Sequence, residues 1–352
     1  MLRSLGLRRR NMRQNFHTIL ETILRLQREG FINVGYRIMW KLLNVHCGVP
    51  ASQRTVRLAL QTLTPELVNA RARRILHRRV YTNRGSNDLI HIDGYDKLKP
   101  YGIAIHGAID GFSRKILWLK AGPSNNNPQY IARFYLNFVK ETKRIPRCVR
   151  LDDGTENGIV RDLQTAFVLS QQDSTDMPPF LRGRSTGNQR IERFWGSLRQ
   201  TVCEFWRNYF REMRSSGELD QLNPIDIQCI RLCFLSVIKY QLMVFQSTWN
   251  VHRIRAQRHC QVSGIPSVLY HQPQVYGYED RSLPLSCNIG ILQEIIDEYS
   301  LEYPLYGCEN DFLDILEEIT GVDKHAFTLP TNVREAHELY VSLKECLNGY
   351  RI

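Results

Sequence analysis

The spacing of apolar residues divides the chain into three parts. Apolar positions recur with the period of an α-helix over residues 15–29, 35–47 and 53–63. From residue 89 the pattern changes to short apolar runs that are typical of buried strands, and turn-forming residues at 83–87 separate these two parts. After residue 289 the pattern is mostly helical again. We therefore expect an α/β protein in which a basic, all-α segment precedes the sheet and a helical tail follows it.

The first part has the pattern of a helix-turn-helix. Residues 48–51 (GVPA) end the second helix, and Ser52 is a suitable N-cap for a third helix that exposes Arg54 and Arg57. A helix, a short turn with glycine and a basic helix form the arrangement that places its second helix in the major groove of DNA. An ordinary helical hairpin shows the same pattern. DNA binding by Arg54 and Arg57 is therefore a hypothesis at this point.

The middle part alternates strands and helices in a characteristic order. Strands are predicted at 89–93, 102–110, 115–121 and 147–151, and helices at 128–142, 159–170, 188–205 and 225–249, with a polar loop at 171–187. The short links between the first three strands favour an antiparallel meander. Three strands, a helix, a strand and a helix is the order of the ribonuclease H-like fold, a mixed sheet flanked by helices.

Charge is distributed unevenly along the chain. Residues 1–84 contain 17 Lys and Arg against three Asp and Glu, whereas residues 289–352 contain four against 13. Within the basic part, Arg71, Arg74, Arg78 and Arg79 form a run that we expect to follow phosphates and to make binding salt-dependent. A charged surface that serves solubility is the alternative. The concentration of charge in one quarter of the chain favours DNA as the partner.

Cysteines and apolar runs restrict the class of protein further. The nine cysteines include no CxxC pair, which is typical of reduced residues in an intracellular protein. The longest apolar run, residues 229–245, is interrupted by Arg231 and Lys239, so no membrane span is expected. Residues 1–13 are basic without an apolar core, so no signal peptide is expected. They also lack a helix start signal, and we expect them to continue a segment that began earlier.

Three acids stand where predicted elements end or begin. Asp93 ends the first strand, Asp152 follows the fourth strand, and Glu192 lies in the first turn of a later helix, at intervals of 59 and 40 positions. Two divalent cations bridged by carboxylates can neutralise the attacking and leaving oxygens of a phosphodiester. The alternatives are turn acids at strand ends and, for Glu192, an acid stabilised by the helix dipole.

Five sequence blocks resemble the integrase core (DDE) of retroviral-type integrases and transposases, and more closely the transposon-derived integrase-core proteins of animal genomes. The blocks are HIDGYDKL (91–98), IDGFSR (109–114), RLDDGTEN (150–157), NQRIER (188–193) and WNVHRIR (249–255). The resemblance implies that Asp93, Asp152 and Glu192 are catalytic and bind Mg²⁺ or Mn²⁺. It implies DNA integration by strand transfer, with a homo-oligomer on the DNA ends.

The same resemblance places further residues near DNA. We expect Lys97 and Arg190 to contact DNA, although Lys97 has the alternative of a solvated lysine and Arg190 that of an ion pair with Glu192. The chain departs from the family pattern at Asp153, a second acid beside the predicted metal site, which should be neutralised by a base or face solvent. It also lacks the paired His and Cys spacing of a zinc module, so no zinc is expected.

These observations define an expected organisation and three function classes. Residues 1–86 are predicted to be a DNA-binding segment, 87–270 the catalytic core and 271–352 an acidic, mostly helical extension. The protein is expected to be an active strand transferase. A domesticated descendant that binds DNA without catalysis and a ribonuclease H-like nuclease are the alternatives. DNA as the partner and the basic runs lead us to expect a nuclear location.

Overall fold

The structure is a computed structural model in which residues 15–72, 82–152, 154–171, 177–183, 188–256 and 261–349 are described. The helices of the first part are α1 (Phe16–Arg28), α2 (Tyr36–Lys41), α3 (Gln53–Leu63) and α4 (Pro65–Ala72), and a π-helical turn, Leu42–His46, extends α2. Ser52 caps α3 as predicted, because its side chain accepts a hydrogen bond of 3.0 Å from the amide of Thr55. Helices α1 to α3 bury their apolar faces in a common cluster.

A mixed sheet forms the centre of the described chain. The strands are β1 (Gly85–Ser86), β2 (Leu89–Tyr95), β3 (Ala104–Asp110), β4 (Ile116–Gly122), β5 (Arg144–Ile145), β6 (Cys148–Leu151), β7 (Phe180–Arg182), β8 (Glu279–Asp280) and β9 (Leu283–Pro284). The central sheet has five strands in the order β4-β3-β2-β6-β7. Strands β2, β3 and β4 form the predicted antiparallel meander, whereas β6 runs parallel to β2 and to β7. This mixed sheet with helical flanks confirms the predicted ribonuclease H-like fold.

The remaining helices cover the sheet and extend the core. They are α5 (Pro128–Thr142), α6 (Gly158–Leu169), α7 (Gln189–Leu198), α8 (Glu204–Ser215), α9 (Pro224–Val251), α10 (Pro266–His271), α11 (Ile289–Tyr299), α12 (Asn310–Thr320) and α13 (Val333–Gly349). A π-helical turn, Arg199–Cys203, joins α7 to α8, so the helix predicted at 188–205 continues ten residues further to Ser215. Helices α5 and α6 pack on one another through a cluster that includes the strands β2 and β6.

The prediction of a loop at residues 171–187 was wrong in one respect. Residues 180–182 form β7, which pairs with β6 and completes the sheet. The strand has only three residues, partly or fully exposed, so it has no apolar period by which the sequence could reveal it.

Helix α9 is the central helix of the apolar core. It is long and apolar enough to cross a membrane by length and composition, but 67% of its most apolar window is buried inside the fold. Two residues near its end attach it to the sheet. The indole of Trp249 donates to the carbonyl of Arg114 at 2.8 Å, and the amide side chain of Asn250 bonds both backbone groups of Ile116.

The acidic C-terminal part packs against the core. Helix α13 contacts α9, and α11 contacts α5. The carboxylate of Asp226, which is 1% exposed at the start of α9, forms an ion pair with Lys344 of α13. Tyr340 donates to the carbonyl of Glu218 at 3.0 Å. The described part of this segment is therefore held to the core by buried polar contacts as well as by apolar packing.

Candidate active site

The sheet brings two of the predicted acids side by side. Strands β2 and β6 are parallel, and His91 opposite Arg150 is their last registered pair. Asp93 and Asp152 each lie two residues beyond that pair. Equivalent positions on parallel strands project to the same face of a sheet, so the two carboxyl groups share a face. The two carboxyl groups also interact electrostatically, because, besides burial, the negative charge of Asp152 raises the pKa of Asp93.

Asp93 occupies a partly buried and negatively charged position. The indole nitrogen of Trp195 donates to its Oδ2 at 2.9 Å, and the amide of Gly94 donates to its Oδ1 at 2.9 Å. The pKa of Asp93 is raised to about 7, chiefly by burial and also by the charges of Asp152 and Glu192, while the hydrogen bonds from Trp195 and Gly94 oppose the rise. A cation beside Asp93 would stabilise the ionised carboxylate, so this position favours positive charge.

Asp152 is oriented by the turn that follows it. The side-chain amide of Asn157 donates to Oδ1 of Asp152 at 2.6 Å, and the amide of Gly154 donates to the same oxygen at 3.3 Å. Asn157 ends the 3₁₀ turn Thr155–Asn157 and is only 5% exposed. No described residue donates a hydrogen bond to Oδ2 of Asp152, which leaves that oxygen available to a ligand.

Glu156 adds a further carboxyl group to this turn. Burial raises its pKa, and the charges of Asp152 and Asp96 raise it too, while Lys99 lowers it. Its Oε1 accepts a weak hydrogen bond of 3.4 Å from Asn157. These contacts give Glu156 a role in the turn that follows Asp152. The second acid of the anomalous pair, Asp153, lies outside the described residues.

The start of α7 is fixed to β2 and thereby positions Glu192. The side chain of Asn188 donates to the carbonyl of Ile92 at 3.1 Å and contacts Nδ1 of His91 at 2.5 Å. Burial lowers the pKa of His91 to about 3, so the ring is neutral and its Nδ1–H donates to the Asn188 oxygen. Glu192 lies in the first turn of α7, where burial raises its pKa and the positive charge of Lys97 opposes that shift.

The three acids suit a hard divalent cation by their chemistry. Mg²⁺ prefers a few carboxylate oxygens together with oxygens of a phosphate substrate. Asp93, Asp152 and Glu192 supply such oxygens. A cation would also relieve the repulsion between the carboxylate of Asp93 and the negative charges of Asp152 and Glu192. In the described part of the chain, no three His, Cys, Asp or Glu side chains form a ready-made metal-binding group. The three acids therefore fit the metal in chemical type, but in this structure they do not come together into a metal-binding group.

The residues predicted to contact DNA have different surroundings. Arg54 and Arg57 are exposed on α3, and Lys97 is exposed close to Glu192. Arg190 donates through Nε to the carbonyl of Gly111 at 3.1 Å, so part of its guanidinium holds α7 to the turn after β3. The arm residues Arg74, Arg78 and Arg79 lie outside the described residues, and so does the side chain of Arg71.

Three residues of the site were not assigned a role from the sequence. Trp195 belongs to the buried face of α7, and its indole holds Asp93. Asn157 and Asn188 belong to the sequence blocks that resemble the integrase core, but no function was predicted for them. Asn157 orients the carboxylate of Asp152, and Asn188 holds the start of α7 against β2. The position of Trp195 three residues after Glu192, on the adjacent turn of one helix, is the sequence signal that could have indicated its proximity. Asp110, by contrast, caps the turn after β3 through hydrogen bonds of 2.7 Å from the amide and hydroxyl of Ser113.

The fold and the three acids together define the class of integrase- and transposase-like polynucleotidyl transferases. Residues 80–276 match a family model described as an integrase core domain. The match covers more than half of the chain, and the protein belongs to this family of integrase core domain proteins. Integrase core domains generally use divalent metals. No curated protein matches the sequence.

Proposed function

We propose that the protein joins 3′ DNA ends to phosphodiester bonds of target DNA in a reaction that depends on Mg²⁺ or Mn²⁺. In this proposal Asp93, Asp152 and Glu192 are the catalytic residues and the metal ligands. The main support for this proposal is that Asp93 and Asp152 each lie two residues beyond the same registered pair of β2 and β6, which are neighbouring parallel strands. Glu192 is close enough for its charge to raise the pKa of Asp93. This is the arrangement that a phosphodiester transferase with carboxylate-bound metal requires.

The roles of the chain's own residues follow from their contacts. A divalent cation, when bound, supplies neutralisation of the attacking and leaving oxygens and activation of the attacking hydroxyl. Trp195 and Gly94 hold the carboxylate of Asp93, and Asn157 holds Oδ1 of Asp152, while Oδ2 of Asp152 accepts no hydrogen bond from a described residue. Lys97, exposed beside Glu192, is placed to bind a DNA phosphate near the reacting group.

The basic first part of the chain supports DNA as the substrate. We assign residues 1–86 to DNA binding through Arg54, Arg57 and the arm that contains Arg71, Arg74, Arg78 and Arg79. Residues 87–270 form the catalytic core in this scheme, and residues 271–352 an acidic extension. A homo-oligomer would hold the two DNA ends, and a nuclear location follows from DNA as the partner.

A strand-transfer assay on labelled oligonucleotides with Mg²⁺ or Mn²⁺ tests the proposal. The variant Asp152→Asn keeps the side-chain shape and the acceptor for Asn157 but removes the charge, so joined products should fall to background. Asp162→Asn, which neutralises an exposed acid of α6 beside Arg161, is the matched control and should retain activity.

The assay also separates the proposal from its alternatives. Hydrolysis of the DNA without joining would identify a nuclease. DNA binding without chemistry in the wild-type protein would identify a catalytically silent descendant. Joined products that persist unchanged in Asp152→Asn would refute the assignment of the metal site.

A further inference from the structure

A cavity of about 640 Å³ lies between the N-terminal helices and the catalytic core. It is lined by Gly35, Tyr36, Arg37, Arg57, Leu60, Val68 and Arg255. The cavity falls within the range of roughly 300–1,000 Å³ that is typical of ligand sites. None of the three acids lines it, and no function was predicted for Tyr36, Arg37 or Arg255.

The charge of this cavity is entirely positive. Three arginines and no acid line it, and none of the three guanidinium groups forms an ion pair or hydrogen bond with a described residue. Other surface arginines of the described chain are paired, for example Arg133 with Glu302 and Arg144 with Asp280. Arg37, Arg57 and Arg255 are therefore available to an anion with several oxygens, and guanidinium groups match phosphate geometry particularly well.

The interior of the cavity is apolar and aromatic. Leu60 is 1% exposed and Val68 is partly buried, while the guanidinium of Arg37 lies 5.0 Å from the ring centroid of Tyr36. Aromatic rings and guanidinium planes are the groups on which unpaired bases stack. A duplex keeps its bases inside the helix, so only an unpaired nucleotide can place a base in a concave site while its phosphates meet the rim.

Both sides of the cavity are anchored to the core. An antiparallel bridge between Ile254 and Gly264, with hydrogen bonds of 2.7 and 3.1 Å, fixes the backbone beside Arg255. On the other side, Nε2 of His46 lies 3.0 Å from the hydroxyl of Thr248 and ties the N-terminal helices to α9. The backbone segments that carry the arginines on the two sides are thus held in fixed relation, which favours a preformed binding site.

We propose that this cavity binds an unpaired nucleotide at the end of the DNA substrate, with Arg37, Arg57 and Arg255 on its phosphates and Tyr36 beside its base. The proposal rests on the proposed function for the identity of the polyanion as DNA. It adds that the protein distinguishes a frayed or overhanging end from a blunt duplex, and that residues of both the helical segment and the core make this distinction.

Fluorescence anisotropy with the full chain tests the proposal. The probes are a labelled duplex with an unpaired three-nucleotide overhang and a blunt duplex of equal length. Wild type should bind the overhanging probe at least about fivefold more tightly, and Arg57→Gln and Arg255→Gln should each remove most of that preference. Each should also reduce the slope of log affinity against log salt concentration by about 0.7 on the overhang. Arg211→Gln, an equal charge change on α8, should leave the preference unchanged.

A second set of variants separates the site from a folding effect. Tyr36→Ala should lower the overhang preference without changing the salt slope, and Tyr36→Phe should retain the preference because the ring remains. The proposal would be overturned if the wild type bound both probes with equal affinity. It would also be overturned if Arg255→Gln preferred the overhanging probe as strongly as the wild type does. Asp152→Asn separates the failure of this proposal from the failure of the proposed function. This variant should lose strand transfer, as the proposed function requires, and should still prefer the overhanging probe.

Discussion

The side-chain amide of Asn157 lies 2.6 Å from Oδ1 of Asp152 and fixes the orientation of that carboxylate. The carbonyl oxygen of Asn157 is buried without a hydrogen-bond partner among the described residues, so the amide serves chiefly to donate to Asp152. Groups that orient a metal ligand in this way affect metal affinity although they do not touch the metal.

Asn157→Ala is therefore expected to weaken Mn²⁺ binding by about 10-fold or more, the effect typical of lost ligand-orienting contacts. Titration of the metal-free protein with Mn²⁺, followed by calorimetry, measures the affinity. Asn332→Ala, which removes the amide that caps α13 far from the acids, is the matched control and should cost stability alone. Wild-type Mn²⁺ affinity in Asn157→Ala would show that Asp152 is oriented without it.

Acid should destabilise the fold through His106. The ring is fully buried in the sheet, Nδ1 accepts a hydrogen bond of 3.1 Å from the indole of Trp118, and burial lowers the pKa of His106 to about 3. The unfolded chain binds a proton near pH 6.5, so the stability from neutral His106 is complete above pH 6.5 and is lost as the pH falls towards 3.

His106→Gln keeps an acceptor for Trp118 and removes the titration. Between pH 7 and pH 5 the wild type should lose about 2 kcal/mol more unfolding free energy than this variant. Urea unfolding at both pH values measures the difference. Equal losses in the two proteins would mean that His106 is protonated in the folded state.

The ion pair between Asp226 and Lys344 is expected to hold the acidic extension on the core. Lys344→Met removes the positively charged partner of the buried Asp226 carboxylate, which still accepts a hydrogen bond of 2.8 Å from the amide of Asp220, and should cost about 3 kcal/mol of unfolding free energy. The double variant Asp226→Asn with Lys344→Met removes the unpaired charge and should recover part of that loss. Chemical denaturation measures both, and a cost below about 1 kcal/mol for Lys344→Met would show that the pair contributes little.

The basic arm should make DNA binding salt-dependent. Replacing Arg71, Arg74, Arg78 and Arg79 by Gln should reduce the slope of log affinity against log salt concentration by about 3 to 4, because each lost phosphate contact removes about 0.9. The control carries the same charge change at four positions whose side chains already bond to protein neighbours: Arg161, Arg211, Arg214 and Lys324. An unchanged slope in the arm variant would refute the role of the arm.

The sequence predicted those features that are local along the chain. The cap at Ser52, the bounds of α3 and α5, and the strand order of the meander follow from spacing and turn residues, and the structure has them as predicted. The three acids were found because each stands at the end or beginning of an element. Such signals are contained within a few residues and need no knowledge of the packed fold.

Features that depend on distant residues were missed for a physical reason. Trp195 bonds to Asp93 across 102 positions, and Asn188 bonds to the backbone of β2 across 96. An indole within an apolar helix face looks like a core residue until the helix is placed against the sheet. Strand β7 was missed because three residues without an apolar period depend on pairing with β6 for their conformation.

The most direct test of the central claim is the anomalous X-ray scattering of Mn²⁺ in crystals of the protein with a 3′-ended oligonucleotide. We expect a Mn²⁺ peak bounded by the carboxylates of Asp93 and Asp152, with Glu192 in the same site, and loss of that peak in Asp152→Asn. Absence of the peak in the wild type, or a peak at these acids that survives unchanged in Asp152→Asn, would show that these acids do not form the metal site.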